Sequence, residues 1–220
     1  MTFDIRSATL ADVAKITRLH VDSWQDTYPF IPPAVHANRS YAYRYEEWLE
    51  ALSNPDPDQL ILTVWNEDIL VGFCSCRSSN DSDLPIAKGE LHAIYFRKEY
   101  RGHAIGVPLL DRMLRFLLKR DLWPACLWAF EENKIRHAYK AGGFIESVHR
   151  NRIIDGVSIP EVGYLTPDDP AELYVTMNRR LREEVAGEQM IPPARPDLPA
   201  SSTTHQINLE TQSQNPQGPS

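Results

Sequence analysis

Apolar positions recur along this chain at two spacings, and the two alternate. Phe3–Ala8 has strand character. Thr9-x-x-Asp12 then gives a capping-box-like start to a helix with Val13, Ile16, His20 and Trp24 on one face. Pro29, Pro32 and Pro33 are expected to end it. A second helix is predicted over Arg44–Leu52, with Tyr45, Trp48, Leu49 and Leu52 on one side, before Asn54-Pro55-Asp56-Pro57 breaks it. Gln59–Trp65 and Ile69–Arg77 read as strands joined by a hairpin turn at Asn66-Glu67-Asp68. A polar loop, Ser78–Pro85, leads to a longer strand, Ala87–Phe96. Ile105–Arg120 is the clearest helix, with Leu109, Leu110, Met113, Leu114, Leu117 and Leu118 opposite Asp111, Arg112, Arg115 and Lys119. The reading continues with a strand over Trp123–Phe130, a short helix over Lys134–Ala141 and a strand over Phe144–Arg152. A Pro/Asp-rich insertion and a last strand, Glu172–Asn178, complete it. Alternation of this kind predicts an α/β domain with a mixed sheet.

Composition divides the 220 residues in two. Residues 187–220 contain no Phe, Tyr or Trp and hold six of the seventeen prolines. Such a segment buries too little surface to offset its ordering entropy, so 1–186 is expected to fold and 187–220 to form a disordered tail. The start of the chain lacks the basic and apolar regions of a signal peptide, and no stretch has the ~18 unbroken apolar residues of a membrane helix. A cytosolic (or nuclear) protein with no membrane partner is therefore expected. Cys74, Cys76 and Cys126 are an odd number, and Cys74-x-Cys76 lacks both C-x2-C spacing and a second ligand pair, so neither a disulfide framework nor a metal is expected. The net charge of -7 disfavours nucleic acid as a partner and fits, weakly, a small amine.

Candidate chemistry concentrates in one stretch. The strand ending Ile94-Tyr95-Phe96 meets a basic turn and then Arg101-Gly102-His103-Ala104-Ile105-Gly106-Val107 at the start of the amphipathic helix. A helix start presents unpaired N–H donors and partial positive charge, and small residues let the backbone approach an anion. Pro108 suits the first helical turn. The glycines also have a plainer use, in the turn itself. The pattern matches neither the P-loop nor the dinucleotide G-x-G-x-x-G, which argues against nucleotide hydrolysis and hydride transfer.

This stretch resembles the coenzyme A loop of the GCN5-related N-acetyltransferases, in which a Leu-Tyr-Val-like strand end runs into Arg-x-x-Gly-x-Gly/Ala. Ala104 stands here where that family carries its first loop glycine. Phe3–Thr9, His20-Val21-Asp22-Ser23-Trp24 and Tyr139-Lys140-Ala141-Gly142-Gly143-Phe144 are similar to further family segments, so the resemblance spans roughly residues 3–180. It implies a mixed, mostly antiparallel sheet of about six or seven strands with about four flanking helices. It also implies acetyl-coenzyme A as co-substrate and direct transfer of the acetyl group to an amine.

By resemblance, Ile94, Tyr95, Phe96 and residues Arg101 to Val107 would bind the coenzyme, and Tyr139 would protonate its sulfur. The family's coenzyme-contacting asparagine is replaced by Glu132, with Asn133 one step later; Asn133 either takes over that contact or caps the next helix. Alternation along Ala87–Phe96 would put Glu90, His92, Ile94 and Phe96 on one face, making Glu90 the first candidate base and His92 the second. The structural alternative is a solvated glutamate and a satisfied core histidine. Trp24 and Tyr28 lie where the family builds its acceptor wall, Tyr28 being the better candidate for substrate contact. The acceptor class expected is a small-molecule primary amine. A protein or peptide acceptor and a non-catalytic acyl-coenzyme-A-binding role are the alternatives, and dimerisation is left open.

Overall fold

The computed structural model describes residues 2–101 and 105–179. Its strands are β1 (Asp4–Ser7), β2 (Leu60–Asn66), β3 (Ile69–Ser78), β4 (Gly89–Phe96), β5 (Ala125–Phe130), β6 (Ile145–Ile154) and β7 (Val157–Leu165). They form one sheet in the order β1-β2-β3-β4-β5-β7-β6. Every neighbouring pair is antiparallel except β4–β5. The helices are α1 (Val13–Thr27), α2 (Pro33–Asn38), α3 (Tyr41–Ser53), α4 (Gly106–Lys119), α5 (Arg136–Ala141) and α6, residues 170–179. Six helices among the described residues exceed the four expected.

Each face of the sheet is covered by amphipathic helix. Leu109, Met113, Leu114 and Leu117 of α4 are fully buried against Val64, Val71, Cys74, Cys76 and Leu127. Each such side chain contributes about 1.5–3 kcal/mol. On the opposite face, Val13, Ile16 and Leu19 of α1 and Trp48 of α3 pack on Ile61, Trp65, Phe73 and Ala93. All three cysteines are free and buried.

Three stretches depart from the expected elements. The prolines after α1 do stop it, but Pro33 also starts α2 from the first-turn position that proline tolerates. The segment read as an insertion contains β7. Asp155 and Gly156 both have positive φ (50° and 79°), so they form the tight turn joining β6 to β7. Pro160 does not disqualify the strand: the β5 ladder ends at Phe130↔Glu161, so no ladder bond on that side needs the N–H that proline lacks, while its carbonyl still accepts from the Glu131 N–H at 2.9 Å. Residues Glu172–Asn178, expected as a strand, are helical. Asp169 accepts from the Ala171 N–H at 2.9 Å, Pro170 opens the first turn, and Leu173 and Met177 are the buried i, i+4 pair. The predicted tail, 187–220, lies outside the described residues.

Candidate active site

The one parallel pair is also the shortest. β4 and β5 pair only at Gly89↔Ala125 and Glu90↔Cys126, although β4 runs on to Phe96 and β5 to Phe130. Beyond Glu90 the two strands diverge, so the β4 backbone from Leu91 to Phe96 has a ladder partner on its β3 side alone. Two cavities meet at this splay. One of about 80 Å³ is lined by Ile94, Leu110, Leu127, Tyr139 and Phe144. The other, of about 300 Å³, is lined by residues of α1, α3 and β6, among them Trp24, Arg44 and Arg152. Tyr28, His92, Ala93, Tyr95 and Trp128 border both.

A bulge in β4 alters the expected face. Ser75 pairs with Ala93 and Cys76 with Leu91, so His92 is an extra residue opposite no partner. The alternation therefore slips by one. Glu90 and His92 line the larger cavity with Ala93 and Tyr95, while Ile94 and Phe96 pack on the α4 side. The expected grouping of Glu90 and His92 with Ile94 and Phe96 does not occur.

Glu90 and His92 form a pair. Glu90 accepts from Arg77 Nε at 2.8 Å and lies 3.3 Å from His92 Nδ1. Burial alone would raise the Glu90 carboxyl, but His92 and Arg77 outweigh it and hold the pKa at about 2. A carboxylate ionised at neutral pH only accepts, so Nδ1 is the donor in this pair and Nε2 is the ring nitrogen left for other contacts.

Tyrosines crowd the junction. Tyr139 is half-buried, with its ring 6.1 Å from Phe144 and 6.0 Å from Tyr164. Burial of its phenol, with smaller effects from Tyr95 and Tyr164, pushes the pKa well above the ordinary value. Gly143, at φ 99°, makes the turn that follows this helix and starts β6. Tyr28 is buried, and its phenol is likewise pushed up by burial and by Tyr95, against a lowering contact from Asn133. Asn133 makes two local contacts. Its Nδ2 donates to Tyr28 Oη at 3.4 Å, and its Oδ1 accepts from the Ile135 N–H at 3.2 Å, stabilising the turn into α5. Trp24 is buried edge-on against Tyr28.

At the predicted coenzyme loop, Gly102, His103 and Ala104 lie outside the described residues. Ile105 is buried in the α4 core, Val107 packs against it, and Gly106 opens α4 with free space where a Cβ would stand. Arg101 donates through Nε to the Phe96 carbonyl at 3.0 Å and comes within 3.8 Å of Asp26. The one-sided edge of β4, the small cavity beside it and the start of α4 fit an extended thioester-bearing arm with an anionic end.

Several lining residues escaped the sequence reading. Arg77, Trp128, Arg152 and Glu161 enter the cavity from β3, β5, β6 and β7. Trp128 lies against Gly163, where any Cβ would come within 2.9 Å of the indole. His20 was placed on the α1 apolar stripe, and it is buried there, with Nδ1 accepting from Trp48 Nε1 at 3.1 Å. Burial, aided by Arg44 and His92, lowers its pKa well below the usual value, so it is neutral. Among the described residues, no cluster of three or more His, Cys, Asp or Glu side chains is arranged to hold a metal, and no helix is long and apolar enough to cross a membrane.

The described residues thus form an α/β domain whose sheet opens at its single parallel pair, with two cavities meeting there. Residues 15–144 match the model of the acetyltransferase (GNAT) family. An uncharacterised N-acetyltransferase of Bacillus subtilis, YuaI, is 30% identical over 178 residues, covering 80% of this chain and 98% of the relative. Among solved structures, the PaiA N-acetyltransferase of Thermoplasma acidophilum in complex with coenzyme A superposes with a TM-score of 0.54 at 22% identity, over 74% of this chain and 98% of that one. The ribosomal-protein-S5-alanine acetyltransferase of Vibrio fischeri gives a TM-score of 0.58 at 17% identity, over 77% and 95%. The chain belongs to the acetyltransferase (GNAT) family and is an acetyltransferase.

Proposed function

We propose that this enzyme transfers an acetyl group from acetyl-coenzyme A to the primary amine of a small molecule, with His92 as base and Tyr139 as acid. The observation that carries the reading is the pair of cavities meeting at the β4–β5 splay, with His92 bordering both and Tyr139 in the smaller. Acetyl-coenzyme A supplies an activated thioester whose carbonyl carbon accepts the amine nitrogen and whose sulfur leaves.

His92 Nε2, oriented by Glu90, takes the proton that the amine nitrogen loses. This reverses the order expected from the sequence, because a carboxylate held by Arg77 at a pKa of about 2 is a weak base but a good orienting group. Backbone N–H groups along the splayed edge of β4 are suited to polarise the thioester carbonyl. The Tyr139 phenol gives its proton to the leaving sulfur. Its raised pKa matches the task, since burial strengthens a thiolate as a base too. Cys76 illustrates this: burial pushes its thiol up to about 12. Ile94, Tyr95, Phe96, Arg101 and the segment 102–107 are assigned to coenzyme contact, and Asn133 to positioning Tyr28 beside it.

The 300 Å³ cavity has the size of a small-molecule site and is walled by aromatic rings with charged groups at fixed points. The test is mass-spectrometric assay of acetyl-coenzyme A with a panel of amines and peptides. Free thiol released together with acetylated small amine is the expected result. Acetylation of peptides alone, or coenzyme binding with no turnover on any amine, overturns the reading.

A further inference from the structure

The larger cavity carries more positive charge than an amine pocket requires. Arg39, Arg44, Arg77 and Arg152 line it, in a chain whose net charge is -7. Three glutamates line it too, and each is already held by an arginine. Glu47 is held by Arg44 at 2.7 Å, Glu90 by Arg77 at 2.8 Å, and Glu161 by Arg150 at 2.7 Å. Arg150 is not itself a lining residue; it lies flat on the Trp128 ring, 3.4 Å from its centroid, and also binds Asp81 and Asp83.

That arrangement leaves Arg152 loosely held. Its ion pair among the described residues is a 3.7 Å contact to Glu161, whose other oxygen Arg150 occupies, and its side chain is 51% exposed. Arg39 donates to Tyr43 Oη at 2.6 Å and meets Asp155 only at 3.8 Å. A guanidinium has five N–H donors in a planar fork, so both retain capacity for a two-oxygen anion. Arg44 and Arg152 line the same cavity as Tyr95 and His92, and both lower the Tyr95 phenol pKa against its burial. A plain ammonium compound leaves the spare donors of Arg39 and Arg152 unused, whereas one carrying its own anion engages them.

We propose that the acceptor is an amine that also bears an oxyacid group, a carboxylate or a phosphonate, gripped by Arg152 with support from Arg39 and Arg44 while the amine faces His92. This rests on the small-molecule reading above and narrows it. The test compares kcat/KM for matched pairs: 4-aminobutyrate against butylamine, phenylalanine against phenethylamine, and 3-aminopropylphosphonate against propylamine. The acid-bearing member of at least one pair is expected to exceed its neutral twin about tenfold or more, the scale of one charge-assisted hydrogen bond. Which pair does so separates carboxylate from phosphonate. Arg152→Gln is expected to bring the ratio close to one and Arg152→Lys to keep part of it, with coenzyme A affinity reporting that each variant is folded. Neutral twins used as well or better in every pair, or a ratio that Arg152→Gln leaves unchanged, overturns the proposal. If no amine is acetylated, the small-molecule reading fails separately, and calorimetry with the same acids and the coenzyme A complex then judges the anion site. Binding that Arg152→Gln weakens about tenfold sustains it, and absent or unweakened binding overturns it.

Discussion

The two faces of β4 meet opposite environments. On the α4 side, Leu91, Ile94 and Phe96 meet a helix whose inward residues are all apolar, and the cavity there is small. On the α1/α3 side, Glu90 and His92 meet arginines, a buried histidine and tyrosines around a cavity more than three times larger. One bulged residue separates these environments. The α4 face holds the fold together and shapes a narrow slot. The opposite face gives up close packing for charge and volume, which is where selectivity between acceptors has to be built.

The sharpest way to break that contrast is to substitute where the faces meet. His92→Asn is expected to lower kcat by ~10²-fold or more, the usual scale of a positioned base, in initial-rate assays. Tyr139→Phe removes the acid and is expected to lower kcat by ~10²-fold while the coenzyme dissociation constant, read by calorimetry, changes far less. An unchanged rate in either variant removes that residue from the mechanism. Next comes a substitution confined to the α4 face. Leu114→Ala, at a fully buried position, is expected to cost ~2–5 kcal/mol in denaturant unfolding with kcat of the folded enzyme retained. Equal losses in kcat and stability would mean that the two faces are not separable.

Glu90 gives a smaller, pH-dependent effect. Its folded pKa, about 2, lies below the ordinary 4.5. The stability it contributes is therefore complete above about pH 4.5 and is lost as pH falls towards 2. Glu90→Gln is expected to remove ~1–3 kcal/mol at pH 7 and to flatten this part of the acid-unfolding curve, the figure discounted because Arg77 is half-exposed. An acid limb unchanged by the substitution would show that the Arg77–Glu90–His92 contacts do not form in solution. The least effect belongs to Tyr28→Phe, which leaves the Asn133 amide without its phenol partner and is expected to raise the acceptor KM about threefold. No change in KM would place Tyr28 in the wall for packing alone.

The same contrast governs what the sequence could reveal. The α4 stripe, the β2–β3 hairpin and the Tyr139 helix rest on local periodicity and turn residues, and they are found within a few residues of the expected positions. The charged face is assembled from distant segments and has no local signature. Glu161 was invisible because the strand holding it was missed, and Arg152, at the end of a strand that was expected, carries no local sign that it faces a cavity. The stretch holding Glu161 was read as a Pro/Asp-rich insertion, although the Asp155-Gly156 turn after β6 was a usable hairpin signal. Helix α6 was misread because Tyr174, Val175 and Thr176 favour strands, although the Asp169-Pro170 start and the Leu173/Met177 spacing point to a helix. The bulge at His92 depends on how β3 and β4 register against each other, which single-strand alternation cannot encode.

The central claim is that donor and acceptor meet across the β4–β5 splay. A crystal structure of the protein with coenzyme A tests it most directly. The account predicts an extended arm hydrogen-bonded to the β4 backbone between Leu91 and Phe96, with the thiol within hydrogen-bond reach of the Tyr139 phenol and facing His92. A coenzyme arm that bypasses the splay, or a thiol remote from Tyr139, would contradict it.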